Sequence, residues 1–133
     1  MKKIILTFIF FLSCLSIHAQ SARRDYVLKA QLINFDQGAG CGYLKLATVL
    51  DFKVISFSDK DYRLENVGII IRCPELYGDE FFVIGKVYDL IIEVEEENES
   101  TDYQFNYSVQ NMKNLEKYHF HKIYWAVSVS LEN

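Results

Sequence analysis

The sequence lacks the short motifs that mark the common enzyme classes. It contains no Gly-x-Ser-x-Gly nucleophile motif, no phosphate-binding loop, no dinucleotide fingerprint and no Cys-x-x-Cys pair. Those motifs supply an exposed nucleophile, a phosphate cradle or a redox dithiol, and none of these devices can be recognised here. The 18 acidic residues are scattered, so no catalytic carboxylate pair can be assigned. We therefore expect a protein that is not an enzyme and that uses no cofactor.

The sequence also lacks an excess of positive charge. It has 14 Lys and Arg against 18 Asp and Glu, a formal net charge of −4. An acidic domain repels phosphate backbones, which argues against nucleic acid as a general partner. Half of the residues are hydrophobic and only 24% are charged. That balance excludes a disordered chain, because it provides enough apolar surface to build a core.

The first residues have the pattern of a secretion signal. Lys2 and Lys3 precede an apolar run over residues 4–13, and Ala19 offers a small residue for cleavage before Gln20. The run is too short to span a bilayer comfortably. We expect a signal peptide over residues 1–19 and one β-rich domain over residues 20–133, exported to the periplasm or secreted, without a transmembrane segment after cleavage. Cleavage would remove Lys2 and Lys3 and make the formal net charge about −6.

A second interpretation of the leader concerns Cys14. The sequence Phe-Leu-Ser-Cys at residues 11–14 loosely resembles a bacterial lipobox, although Phe11 stands where Leu is usual. Lipidation of Cys14 would tether the product to a membrane by acyl chains, whereas cleavage after Ala19 would release it. We favour cleavage after Ala19 and keep lipidation as the alternative.

Two cysteines remain after that cleavage, Cys41 and Cys73. In an oxidising compartment such a pair usually forms a disulfide, and a loop of this size is expected to contribute about 3–4 kcal/mol. The alternative is a reactive thiol at Cys41, which glycines flank on both sides. A thiol nucleophile needs a positioned base, and the histidines left to serve are His119 and His121. We therefore predict a Cys41–Cys73 disulfide.

Alternation of apolar and polar residues runs through most of the chain after residue 25, and Val, Ile and aromatic residues favour strands there. Six strands are predicted. Their inward-facing sets are Tyr26, Leu28, Ala30 and Leu32; Leu44, Leu46, Leu50, Phe52 and Val54; Val67, Ile69 and Ile71; Tyr88, Leu90, Ile92 and Val94; Tyr103, Phe105, Tyr107 and Val109; and Ile123, Trp125, Val127, Val129 and Leu131.

Two local departures refine this pattern. After Val54 the apolar positions shift by one to Ile55 and Phe57, which predicts a β-bulge that bends the second strand. In the third strand Ile70 stands on the face opposite Ile69, as in a strand covered on both sides.

The fold follows from these elements. Pro74 cannot donate to a ladder, so the third strand should stop at Cys73, and residues 75–82 could form a short helix or turn. Five to six strands, one of them long and bent, with one short helical insert, fit an all-β, mostly antiparallel OB-like barrel. Closure would remove exposed strand edges. A β-sandwich is the alternative.

The order of these features resembles netrin-like domains, the OB fold that tissue inhibitors of metalloproteinases also use. The resemblance rests on Cys41 before a long bent strand, Cys73 after the next, and the sequence Phe-Val-Ile-Gly-Lys-Val-Tyr-Asp-Leu over residues 82–90. The resemblance implies a barrel that disulfides cross-link and that functions by contacting other proteins. The inhibitors chelate the protease zinc with an N-terminal cysteine. This chain would begin at Gln20, so that mechanism is not implied.

The segment after Pro74 holds the candidate partner-binding residues Tyr77, Phe81 and Phe82, which lie outside any strand periodicity. Exposed aromatic residues on a loop are typical anchors of protein interfaces. We prefer the interpretation in which the insert packs over one end of the barrel.

Three further patterns have structural explanations that we prefer. His119 and His121 would point the same way on a strand and could begin a metal site, but no third ligand is evident. The acidic run (Glu93, Glu95, Glu96, Glu97, Glu99) lacks the spacing of a calcium loop and suits a solvated hairpin end. The stripe formed by Tyr103, Phe105 and Tyr107 could stack bases or sugars, but the acidic charge argues against bases and we prefer core packing.

The combined expectation is an exported, non-enzymatic binding module that contacts a protein or a cell-envelope component. One alternative is an inhibitor or immunity-type protein, whose acidic charge would suit a basic target. A second is a small hydrolase that uses His119 or His121.

Overall fold

The computed structural model describes residues 25–36, 38–96, 107–118 and 122–132, with only the backbone at residues 95 and 96. Several predictions lie outside these residues. They are the leader with Cys14, Ala19 and Gln20, the aromatic residues Tyr103 and Phe105, the histidines His119 and His121, and the acidic residues Glu97 and Glu99.

The described chain forms six strands and two short helices. In chain order they are β1 (Asp25–Asn34), β2 (Leu46–Phe57), β3 (Asn66–Arg72), a 3-10 helix (Pro74–Tyr77), β4 (Val87–Glu96), β5 (Ser108–Gln110), α1 (Lys113–Glu116) and β6 (Lys122–Leu131). The third strand ends at Arg72, one residue before Cys73, where the proline predicted its end. The proline then opens the 3-10 helix, where its missing N–H and fixed φ are tolerated.

Five of the strands close into a barrel. The hydrogen-bonded order is β1-β4-β6-β3-β2, and β2 pairs back onto β1 to complete the circle. All pairs in the circle are antiparallel except β3 with β6. The sixth strand, β5, lies parallel to the first residues of β2, outside the circle. This arrangement confirms the predicted small OB-like barrel rather than the sandwich, because one sheet closes on itself.

The bend in β2 comes from the predicted bulge. Lys29 pairs with Ser56 and Ala30 pairs with Val54, so Ile55 has no partner on β1. The extra residue lets the strand turn from β5, beside its first residues, to β1, beside its last. The sequence placed Ile55 among the inward positions, but the bulge turns it outward and leaves it 54% exposed.

The barrel interior is filled by side chains. It holds fully or almost fully buried residues from every barrel strand, among them Leu28, Leu32, Leu50, Phe52, Val67, Ile69, Ile71, Leu90 and Ile92. Rings close both ends. Tyr26, Phe57, Tyr62 and Tyr124 contact one another at one end, and Phe35, Tyr77, Phe81, Phe82 and Tyr88 do so at the other. The interior therefore serves as a packed core rather than a ligand cavity.

In the first half of β6, the side chains that point into the barrel are not the predicted ones. Tyr124 and Ala126 lie inside the barrel, whereas Trp125 lies outside it. A register shift opposite Ile91 and Ile92 then leaves Val127 unpaired, and after it Val129 packs on the interior. The alternation of β6 gave the wrong facing because both of its alternating sets contain apolar residues. The bulge then reverses which set faces the barrel interior.

A second apolar cluster covers part of the outer wall. Ala47, Val49, Ile70 and Trp125 are buried there under β5 and α1. Ile70 is 1% exposed, which confirms that β3 is covered on both faces. Gly68 allows the close approach, since a Cβ there would stand 2.8 Å from Leu115 Cδ2. Among the described residues, no helix has the length and apolar character needed to cross a membrane.

Candidate functional site: the disulfide-linked end of the barrel

The predicted disulfide is present and joins two segments at one end of the barrel. Cys41 and Cys73 are bonded with their Cα atoms 5.4 Å apart and 32 positions apart in sequence. The disulfide joins the loop before β2 to the short connection between β3 and the 3-10 helix. A free thiolate nucleophile at Cys41 is excluded while the disulfide is formed, because neither sulfur then ionises.

Hydrogen bonds hold the same two segments together. The amide of Cys73 donates to the carbonyl of Leu46 at 3.0 Å, and the amide of Leu46 donates to Cys41 Sγ at 3.1 Å. The amide of Cys41 donates to the carboxylate of Glu75. Residues 41–46 and 73–76 therefore behave as one cross-linked unit, with less freedom than two separate loops would have.

Three large apolar side chains project from this unit into solvent. Tyr43 is fully exposed, Leu76 is 79% exposed and Leu44 is 69% exposed. They are the three most exposed large hydrophobic side chains in the described part of the chain. We call Tyr43, Leu44 and Leu76 the disulfide ridge. Single exposed apolar residues are ordinary, but three on one cross-linked unit indicate a contact surface.

The predicted partner-binding residues lie beneath the ridge rather than on it. Phe82 is buried at 9% exposure, and Tyr77 and Phe81 are partly buried against the core. The Phe81 and Phe82 ring centroids are 4.9 Å apart, and Tyr77 lies 5.0 Å from Phe81. Burial raises the pKa of the Tyr77 phenol, and the charge of Arg72 partly opposes that shift. These rings close the barrel end beside the 3-10 helix that carries Leu76.

Backbone contacts fix the ring cluster in place. The Tyr88 hydroxyl donates to the carbonyl of Phe81 at 2.7 Å and accepts from the amide of Val83 at 2.8 Å. Within this segment Leu76 is exposed, whereas Tyr77 and Phe81 pack against the core. The sequence placed Leu44 on the inward face of β2, although that strand begins at Leu46.

A second set of exposed apolar residues lies on the barrel wall. Val27 pairs with Ile91 across β1 and β4, and Val127 sits at the neighbouring bulge in β6. Their exposures are 60%, 43% and 47%. Lys29 on the same wall pairs with Glu132. This wall set is less exposed than the ridge and carries both charge signs, which makes it a suitable internal control.

The outer wall also has a cleft of about 230 Å³ between α1 and the sheet. Gly68, Met112, Leu115, Glu116, Lys122 and Ile123 line it. Its volume is below the usual range for a drug-sized ligand. The histidines of the predicted metal site, His119 and His121, lie outside the described residues, so that hypothesis stays a prediction.

Two buried carboxylates have structural partners. Asp59 accepts hydrogen bonds from Tyr124 Oη at 2.8 Å, from Lys122 Nζ at 3.0 Å and from the amide of Asp61 at 3.0 Å. Asp51 accepts from Lys117 Nζ at 3.3 Å and from Asn34 Nδ2 at 3.2 Å. Each carboxylate joins segments that are distant in sequence, which is typical of charges buried with their hydrogen-bond donors.

One group of possible metal ligands occurs at the disulfide. The sulfur atoms of Cys41 and Cys73 and a carboxylate oxygen of Glu75 lie within 4.8 Å of one another. A metal would need both sulfurs as thiolates, and here they are bonded to each other. The group therefore serves as a covalent link, and Glu75 reinforces it through the Cys41 amide.

Comparison with protein-family models, curated proteins and solved structures gives no match for this chain.

Proposed function

We propose that this chain is an exported, non-enzymatic binding module that contacts a protein or a cell-envelope component through the disulfide ridge. The observation that carries the proposal is the exposure of Tyr43, Leu44 and Leu76 on a unit fixed by the Cys41–Cys73 disulfide. The netrin-like resemblance is consistent with this role, because it implies a stapled barrel that works through protein contacts.

The ridge has the physical properties of an interface anchor. Tyr and large aliphatic side chains carry much of the energy of protein interfaces when a partner desolvates them. Ordering flexible loops on binding costs free energy, and a covalent link removes part of that cost in advance. The disulfide and the Glu75–Cys41 hydrogen bond supply this preorganisation.

Export is part of the same proposal. The leader over residues 1–19 directs the chain out of the cytoplasm, and oxidation of Cys41 and Cys73 suits that compartment. We propose that the mature protein begins at Gln20. The intact mass of the exported protein tests this, and a mass that includes acyl chains on Cys14 would show a lipid anchor instead.

An inhibitor or immunity-type role would use the same surface. A rigid, projecting set of side chains fits a concave site on an enzyme or toxin. A tight complex with a single enzyme, at one-to-one stoichiometry and with loss of that enzyme's activity, would identify this special case.

Photo-crosslinking tests the site of contact. The photoreactive residue p-benzoylphenylalanine replaces Tyr43 in one protein and Val127 on the wall in another, and both are exposed to envelope extract. We expect a discrete adduct from position 43 alone. The adduct should disappear when unlabelled wild-type protein competes, and it should persist when the competitor carries Tyr43→Ser and Leu76→Ser.

The control competitor carries Val27→Ser and Val127→Ser, which remove exposed apolar side chains from the wall. It should compete as well as wild type. Adducts from position 127 alone, or competition by the ridge variant equal to that of wild type, would show that the ridge is not the docking surface.

A further inference from the structure

Exposed carboxylates lie at the same end of the barrel as the disulfide ridge. Asp36 directly follows Phe35, whose ring lies 5.7 Å from that of Phe82 in the cluster under the ridge. Asp79 and Glu80 follow Leu76 in the turn between the 3-10 helix and Phe81. All three side chains are exposed, and in the described part of the chain none of them forms an ion pair. We call Asp36, Asp79 and Glu80 the acidic rim.

The nearby cations do not neutralise this rim. Lys45 directs its ammonium toward the Tyr107 ring, 5.9 Å from the centroid, on the outer wall. Arg72 is engaged by Glu93 and by the Trp125 ring. Lys86 is exposed at the entry to β4 and forms no ion pair in the described part of the chain. This end of the barrel thus combines the apolar ridge with exposed carboxylates that form no ion pair among the described residues.

We propose that the partner is a protein whose apolar cleft is rimmed by Lys and Arg, an inference that rests on the proposed function. Opposite charges around an apolar contact speed association and select the partner, because like charges brought together cost free energy. The acidic rim would repel an anionic lipid surface and a phosphate-bearing polymer. Of the two partner classes proposed above, the charge distribution favours the protein.

The experiment repeats the position-43 crosslinking in envelope extract at rising NaCl concentration, from about 50 to 300 mM, across which exposed charges become screened. It also compares two neutralised proteins. One carries Asp79→Asn and Glu80→Gln in the rim. The matched control carries Asp25→Asn and Glu65→Gln, two exposed carboxylates at the opposite end of the barrel. A third arm mixes the protein with vesicles of phosphatidylglycerol and phosphatidylcholine.

We expect the position-43 adduct to fall about three- to ten-fold in the rim variant and at high salt, as loss of two exposed charge contacts would give. The control variant should crosslink like wild type, and the anionic vesicles should not bind. An adduct that persists unchanged at high salt and in the rim variant would overturn the charge inference and leave the proposed function standing. Binding to the anionic vesicles would also overturn it. Absence of any adduct at position 43 would overturn the proposed function itself.

Discussion

The guanidinium of Arg72 lies 2.6 Å from the carboxylate of Glu93, in an ion pair that connects β3 to β4 across β6. Glu93 is 5% exposed at its side chain, and Arg72 also stacks 5.0 Å from the Trp125 ring and donates to the carbonyl of Ala126. One cation therefore compensates a buried anion and covers the aromatic part of the outer cluster.

The first prediction concerns this pair. Arg72→Met removes the cation and leaves the Glu93 carboxylate buried beside an apolar side chain, which should lower the free energy of unfolding by about 3 kcal/mol or more. Urea denaturation measures the change. The double variant Arg72→Met with Glu93→Gln should be less destabilised than the sum of the two single variants, because both single variants break the same ion pair. Strict additivity of the single effects would contradict the coupling.

The second prediction concerns the disulfide. Replacing both cysteines, Cys41→Ser with Cys73→Ser, should lower the free energy of unfolding by about 2–5 kcal/mol, mainly because the unfolded chain regains its freedom. The double replacement avoids a stray thiol. Alkylation of the native wild-type protein without reductant should label neither Cys41 nor Cys73. Labelling of both would show that the disulfide does not form in the exported protein.

The third prediction concerns acid stability. Burial alone would raise the pKa of the Asp59 carboxyl, but hydrogen bonds from Lys122, Tyr124 and the Asp61 amide, with the charge of Lys122, together lower it below 3.8. A folded-state pKa below the unfolded value gives stability that is present above the unfolded value and lost as pH falls through the folded one. The free energy of unfolding should therefore decline as pH is lowered from about 4.

Urea denaturation at several pH values tests that decline. Asp59→Asn should be less stable than wild type at neutral pH but should lose less stability on acidification. The exposed carboxylate of Asp79 provides the control, and Asp79→Asn should follow the wild-type curve. Parallel curves for wild type and Asp59→Asn would show that another group is responsible.

How far the sequence could predict the fold is clear from β2 and β6. In β2, apolar and polar residues alternate from Leu50 to Val54 and the apolar positions then shift to Ile55, so both the strand and its bulge could be identified. In β6, Tyr124 and Trp125 are both buried, on opposite faces. Alternation carries no facing information when both faces are covered, and the bulge at Val127 could not be inferred without knowing the partner strand.

The candidate site was only partly predictable for a related reason. The two cysteines, Pro74 and the aromatic segment after it could be assigned from the sequence to one end of the barrel, where the disulfide ridge lies. Periodicity, however, cannot say which side of a single 3-10 turn faces solvent, so Leu76 and Tyr77 could not be distinguished. Leu44 continued the alternation of β2 and was assigned inward, although the disulfide-linked loop turns it outward before the strand begins.

The last prediction separates the ridge from its support. Tyr77 is partly buried among the rings of Phe81 and Phe82, so Tyr77→Ala should create a void and lower the free energy of unfolding by about 2 kcal/mol. Tyr43 is fully exposed, so Tyr43→Ala should change stability by no more than about 0.5 kcal/mol. Urea denaturation of the two variants measures both effects.

Partner binding should show the opposite order when each variant is compared under conditions where it is folded. Tyr43→Ala should compete poorly for the crosslinked partner, whereas Tyr77→Ala should retain most of its competition, because its ring contributes through the fold rather than through contact. The two aromatic residues thus form a matched pair at the same end of the barrel. A Tyr77→Ala protein that keeps wild-type stability but loses competition would place the docking surface on the ring cluster and remove it from the ridge.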